Sequence, residues 1–360
     1  MAEPEALAGD AAETLAMWGL APGEWRATGS VTTALEGATY PIVEIAGQRY
    51  VLRQQPPDLS EDDTRFRHAL MRALAHSGLP VPALLPRPNG YTYVVTDTGI
   101  YELQAYVAGE RYVSGTPDDG ERIAAAAVTL GRLHQASAGF AWQPHIWPEE
   151  RSASGIAEAY LARIAEAAER ETLPASVRAG LARVAEECAR RLDAALDALE
   201  ADRSLPALHI HGDYQPHNLA FGAHDVAAIY DFNAARWERR IDELAYGLLY
   251  FAAVRWDEMP TVTPPLVDDG LDVLRAQRFL AAYGDEAPPD EGEARLLGDA
   301  LALAFPVVFA NGLADDLLYP DDSAEPPDEE DALARIQWAE TFWLWLDRYR
   351  DTLAEAWEGA

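Results

Sequence analysis

The chain has 360 residues, enough for two lobes, and 49% of them are hydrophobic, enough for packed cores. Its net charge of −32, from 28 basic and 60 acidic residues, speaks against nucleic acid or anionic lipid as a partner and suits a cationic one. All the basic residues are arginine, which excludes chemistry that needs lysine, such as a Walker A phosphate loop or a Schiff base.

In chain order, the acidic start Met1-Ala2-Glu3-Pro4-Glu5 is unlike a secretory signal. Residues 13–18 read as a short helix, closed by Gly19 to Gly23. Residues 25–53 read as strands, with Tyr40 to Ile45 and Arg49 to Arg53 flanking the turn Ala46-Gly47-Gln48. Ser60 caps a helix that starts acidic (Glu61, Asp62, Asp63), repeats Phe66, Leu70 and Leu74 on one face, and stops at Gly78. Tyr91 to Val95 and Ile100 to Val107 form a further strand pair. The sequence thus predicts about five strands interrupted by one helix.

Beyond residue 118 the pattern is helical: 119–137, 154–170, 175–200, 241–256, 268–283, 293–317 and 329–356, with one β interruption at 218–232. The lone cysteine, Cys188, reads as a small residue on a helix face and can form neither an intrachain disulfide nor a thiolate cluster. Apolar stretches such as Leu301 to Ala310 look too short to span a bilayer, so a cytoplasmic location with no membrane partner is expected. The acidic, proline-rich run from Asp315 to Asp331 reads as an exposed loop. The aromatic run Trp338, Phe342, Trp343, Trp345 reads as helix core. The predicted fold class is α+β and two-lobed: an antiparallel sheet lobe over residues 1–107, then a larger, mostly helical lobe over 108–360.

The segment with the most chemistry is His209-Ile210-His211-Gly212-Asp213-Tyr214-Gln215-Pro216-His217-Asn218, followed by a hairpin that ends at Tyr230-Asp231-Phe232. Gly212 and Pro216 force an irregular loop that carries Asp213 and, five residues on, Asn218. Leu219 to Phe221 and Val226 to Tyr230 are short strands around a tight turn, so the hairpin returns Asp231 beside Asn218. Asn218 and Asp231 offer hard oxygen ligands of the kind Mg²⁺ takes when it also binds phosphates. Asp213 is left to accept a proton from an attacking hydroxyl. This order of residues matches the catalytic loop and metal-binding segment of kinases.

The run His211-Gly212-Asp213, Asn218, Asp231-Phe232, Ala235-Arg236-Trp237 and Asp242-Glu243-Leu244-Ala245 resembles the aminoglycoside phosphotransferase superfamily. That group is similar to choline kinases, type II homoserine kinases and bacterial stress-response protein kinases. Weaker likenesses lie at Leu35 to Tyr40, Tyr50-Val51-Leu52-Arg53, Gly78 to Pro82 and Leu130-Gly131-Arg132-Leu133-His134. The resemblance implies a protein-kinase-like fold and transfer of the γ-phosphoryl of ATP (or GTP) to a hydroxyl of a small molecule. Asp213 would be the base, and Asn218 and Asp231 would hold Mg²⁺. The loop Glu36-Gly37-Ala38-Thr39 would cover the nucleotide phosphates. The strand from Glu102 through Gln104, Tyr106 and Val107 would lead into the hinge that meets adenine, and Asp242 would brace the catalytic loop.

Two positions depart from that pattern. Arg53 stands where the phosphate-binding lysine is expected, and Arg67 or His68 falls where its glutamate partner is expected. Asp62 or Asp63 is the expected substitute partner. Other readings stay open on sequence alone. A protein Ser/Thr kinase shares the motifs, and a nucleotide-binding pseudokinase fits the lost lysine. His209, His211 and His217 also suggest the zinc pair of a hydrolase, although the rest of a zinc site is missing.

Overall fold

The computed structural model describes residues 11–32, 39–112, 119–143, 145–253, 272–312, 315–318 and 328–360. The chain divides by its internal contacts into two units. The first comprises Met1–Arg111 and His217–Ala235, and the second Tyr112–Pro216 and Arg236–Ala360. The hairpin 217–235, which the sequence division at residue 107 places with the helical lobe, is grouped here with the sheet.

The first unit is built on a five-stranded antiparallel sheet with strands β1 (Trp25–Thr32), β2 (Thr39–Ile45), β3 (Gln48–Gln54), β4 (Tyr93–Thr96) and β5 (Gly99–Ala105). Their order is β1-β2-β3-β5-β4. Side chains alternate between faces along a strand, so cross-strand partners share a face. Leu52 pairs with Leu103, and Val43 lies in line with them through Tyr50. These residues and Val94 pack against Leu15 and Trp18 of the N-terminal helix α1 (residues 11–16) and the turn after it.

The opposite face carries a different row. Arg53 of β3 is the register partner of Glu102 of β5, and Glu102 is in turn the partner of Tyr93 of β4. Helix α2 (Glu61–His76) belongs to this unit and starts with a complete capping box between Ser60 and Asp63.

The second unit contains helices α3 (Asp119–Ala138), α4 (Ala153–Ala168), α5 (Ala175–Ala201), α6 (Arg240–Leu248), α7 (Val273–Glu286), α8 (Leu297–Gly312), α9 (Asp315–Leu318) and α10 (Glu329–Glu358). Three features differ from the sequence expectation. A strand pair, Ala207–Ile210 with Arg236–Arg239, brackets residues 211–235 in sequence, so the helical stretch is interrupted by more than the hairpin at 218–232. These strands are only four residues each, and periodicity cannot single out segments so short. Of the helix expected over 241–256, residues Leu249–Ala253 form a π-helical turn and 254–256 lie outside the described residues; of the helix expected over 268–283, residues 268–271 lie outside the described residues and Val273–Glu286 is helical, capped by Asp272. Residues 294–311 are long and apolar enough to span a membrane, contrary to the expectation from Leu301 to Ala310 alone, but 72% of that window is buried inside the protein, as in a core helix.

The aromatic run is core as expected. Phe305 of α8 stacks 4.1 Å from Phe342 and lies tilted 4.4 Å from Trp343 of α10. Cys188 is fully buried, and burial pushes its thiol well above the ordinary range, which leaves it unreactive.

Gly131 lets α3 and α7 approach each other. A Cβ there would lie 2.8 Å from Cβ of Glu286 and 3.1 Å from the Tyr283 carbonyl oxygen. Gly131→Val is therefore expected to destabilise the second unit by about 1–3 kcal/mol, the usual range for overpacking. A lowered urea midpoint checks it; an unchanged midpoint contradicts the close packing of these helices.

Candidate active site

The first unit carries Arg53, Asn218 and Asp231. The hairpin strands β7 (Leu219–Phe221) and β8 (Val226–Ile229) pair antiparallel, and the Tyr230 N–H donates to the Asn218 carbonyl at 2.8 Å. Asp231 therefore emerges next to Asn218, although thirteen positions separate them in sequence. Its backbone is left-handed, with φ 60° and ψ 66°, a conformation that costs a non-glycine residue roughly 1–3 kcal/mol and is best tolerated by Asp and Asn. Arg53 Nη2 donates to Asp231 Oδ2 at 3.2 Å. The other oxygen, Oδ1, is buried with no hydrogen-bond partner.

An orphaned, buried carboxylate oxygen is what a bound cation satisfies. Among the described residues no group of three His, Cys, Asp or Glu side chains could hold a metal by itself. One carboxylate and the Asn218 carboxamide do fit a hard divalent cation whose remaining ligands are phosphate and water.

Arg53 is 8% exposed. Burial works against its charge, but Asp231 and then Glu102 outweigh it and hold the guanidinium above its ordinary value. The expected partner, Asp62 or Asp63, is replaced. Asp62 pairs with Arg65 at 2.8 Å, and Asp63 caps its own helix through Ser60. A carboxylate in the first turn of α2 serves the N-terminus it belongs to.

The position where a helix glutamate was sought is occupied by two basic side chains, and the carboxylate they hold comes from the sheet. Glu102 is fully buried. Its Oε2 accepts from Arg67 Nη2 at 2.8 Å and contacts His68 Nε2 at 2.7 Å, while its Oε1 accepts from Gln104 Nε2 at 2.6 Å. Arg67 also donates to Asn233 Oδ1, two residues past Asp231. Burial opposes the Glu102 charge, but Arg67, His68 and Arg53 together draw its pKa down to about 2. Burial also lowers His68, against the pull of Glu102, so the ring is neutral at pH 7. It donates from Nε2 to Glu102 and accepts at Nδ1 from the Thr92 hydroxyl, 2.7 Å away. Sequence reading passed over Glu102 as a site residue; strand alternation opposite Arg53 was the signal that could have found it.

The second unit carries Asp213. Gly212 adopts φ 85°, which a side chain would resist. The N–H groups of His211 and Gly212 donate to the two oxygens of Glu243, at 3.0 and 2.5 Å. Glu243 also meets His134 Nε2 at 3.0 Å, and His134 Nδ1 meets the Tyr283 hydroxyl at 2.8 Å. Glu243 thus braces the loop, and not Asp242 as expected. Asp242 pairs with Arg239 at 2.8 Å, and burial lifts its pKa to about 6 against the pull of Arg239. One residue along a helix turns the side chain by about 100°, so neighbouring carboxylates cannot serve the same loop. The Asp213 N–H donates to His211 Nδ1 at 3.2 Å, a supporting contact within the loop. Asp213 Oδ1 accepts from Tyr246 Oη at 2.8 Å and from Gln215 Nε2 at 2.9 Å.

The remaining expected nucleotide contacts are distributed along the first unit. Gly37 and Ala38 lie outside the described residues. Thr39 opens β2, with its hydroxyl 3.2 Å from that of Thr32. Gln104 turns its side chain to Glu102. Tyr106 lies under the Arg49 guanidinium, 4.3 Å from the ring centroid, and the Val107 carbonyl accepts from the Tyr230 hydroxyl at 3.0 Å.

Glu102 has a pH signature. A carboxylate whose folded pKa lies below its ordinary 4.5 stabilises the fold above that value, and the contribution fades as pH falls towards 2. Glu102→Gln is expected to lower stability at pH 7 by about 3 kcal/mol, with the gap from wild type closing between pH 5 and pH 2. Urea midpoints across that range check it; a gap that does not change with pH contradicts a buried ionised Glu102.

The sequence matches the family described as "Phosphotransferase enzyme family" over residues 35–297. No curated protein matches the chain in sequence. An aminoglycoside phosphotransferase from Alicyclobacillus acidocaldarius is similar in structure, with TM-score 0.62, 16% identity and 93% of each chain covered. A choline/ethanolamine kinase family protein from Mesorhizobium loti gives TM-score 0.56 and 16% identity, covering 98% of this chain and 100% of that one. The amicoumacin kinase hAmiN, solved with AMP-PNP, Ca²⁺ and Ami, gives TM-score 0.57 and 16% identity, covering 99% of this chain and 94% of that one. These likenesses show the kinase-like fold, and the family match shows an enzyme that transfers phosphoryl groups to hydroxyls of small molecules. The chain belongs to the phosphotransferase enzyme family.

Proposed function

We propose that this phosphotransferase moves the γ-phosphoryl of ATP to a hydroxyl of a small, cationic acceptor, with Asp213 as general base and Asn218 and Asp231 as ligands of Mg²⁺. The observation that carries the reading is Asp231: a carboxylate on left-handed backbone, one oxygen on Arg53 and the other buried without a partner. The nucleotide analogue and divalent cation named with hAmiN support a nucleotide and a metal as the co-substrate pair. The charge of −32 favours a cationic acceptor over nucleic acid.

In this reading the acceptor O–H gives its proton to the Asp213 carboxylate as its oxygen bonds to the γ-phosphorus. The bond to the β-phosphate oxygen breaks and ADP leaves. The protein contributes mostly position and fixed charge. Arg53 supplies the permanent cation for the phosphates, and its planar fork makes directional contacts where lysine would supply a point charge. Mg²⁺, when bound, neutralises phosphate charge as the leaving group departs.

Asp213→Asn is expected to lower phosphoryl transfer by about 10²–10⁴ while nucleotide affinity holds. A variant within threefold of wild type removes Asp213 as the base. Asp231→Ala is expected to abolish the gain in nucleotide affinity that Mg²⁺ confers, read by calorimetry with and without the metal. Equal gains in wild type and variant contradict the metal role. Running the same calorimetry with GTP decides which nucleotide is the donor.

A further inference from the structure

Asp213 lies at the end of a polar chain that crosses the helical unit. Tyr246 of α6 reaches Asp213 Oδ1 with its hydroxyl at 2.8 Å. Tyr250, one helical turn further on in the π-helical turn, hydrogen-bonds Tyr246, and their rings lie 4.8 Å apart. Asn311 of α8 hydrogen-bonds Tyr250. Proton counting fixes the direction. Tyr246 has one proton and an ionised carboxylate before it, so it donates to Asp213 and must accept from Tyr250. Tyr250 has then used its own proton and accepts from the Asn311 amide. Every bond points at the carboxylate, and bonds aligned in this way strengthen one another. Gln215 Nε2 reaches the same oxygen from within the loop, at 2.9 Å.

We infer that Tyr246, backed by Tyr250 and Asn311, is a positioning residue for the base. Donation from Tyr246 and Gln215 to Oδ1 fixes the plane of the carboxylate. Two features argue against plain core packing. The Tyr246 hydroxyl contacts a carboxylate and not an apolar neighbour, and Tyr246 itself is only partly buried. The same side chains would also make the wall beside Asp213 phenolic. The inference rests on Asp213 being the base.

The test compares Tyr246→Phe, Gln215→Met, their double variant and Asp213→Asn in steady-state transfer. Phenylalanine keeps the ring against Tyr250 and removes only the hydroxyl. Tyr246→Phe is expected to lower kcat by about tenfold, the worth of one hydrogen bond to a charged group, with KM for nucleotide and acceptor unchanged. The double variant should lose more than the product of the single losses, because either donor alone still holds Oδ1. A kcat within twofold of wild type overturns the inference, and so does a raised acceptor KM at unchanged kcat, which would make Tyr246 an acceptor contact. If Asp213→Asn stays active, the base assignment fails first. If only Asp213→Asn is inactive, the base assignment stands and the positioning role falls.

Discussion

Glu102 is ionised at zero exposure, and a charge so placed survives only if nearly every lone pair has a donor. Arg67, His68 and Gln104 supply those donors from α2 and from the strand itself. The arrangement fixes more than one side chain. Arg67 spans from Glu102 to Asn233, so the helix is tied to the turn that carries Asp231. Arg53, the register partner of Glu102, is tied to Asp231 itself. Removing Glu102 would leave two neighbouring guanidiniums on one buried face with Asp231 as the nearest remaining anion. The left-handed backbone of Asp231 is therefore held from both sides by contacts that trace back to one carboxylate.

The second unit uses the same device. Glu243 is 3% exposed and takes both loop N–H groups and His134. Burial opposes its charge, yet His134, His211 and the Gly212 N–H keep it below the ordinary carboxylate range. In each unit a buried acid shapes backbone that carries a second acid, and those second acids, Asp231 and Asp213, are more exposed than Glu102 and Glu243.

The placement of Asp213, Asn218 and Asp231 was legible because they sit in a short run with fixed spacing, where glycine, proline and a hairpin leave little conformational choice. The five-stranded sheet and the long helices were legible from alternation and from helical period. The supporting acids were not. Glu102 lies 49 positions from Arg53, and only strand register makes them neighbours. Asp242 and Glu243 are adjacent, and which of them faces the loop depends on the helix phase set by the strand Arg236–Arg239 just before it. Four-residue strands carry too few alternations to be read, so that phase could not be fixed from sequence.

The missing lysine and the missing helix glutamate are better understood as one change. An ammonium on β3 can be met by a carboxylate from a helix at many angles, because its charge is nearly spherical. A guanidinium has a planar fork and a longer reach, and Arg53 here extends to Asp231. A glutamate on α2 would then compete with Asp231 for the same fork and draw it from the turn that carries Asp231. Moving the buried carboxylate to β5 places it directly across the strand pair from Arg53, while arginine on α2 takes up its charge. The cluster of Arg53, Arg67 and Glu102 carries one more positive charge than a lysine–glutamate pair would, Asp231 balances it, and the Arg53 fork stays directed at Asp231.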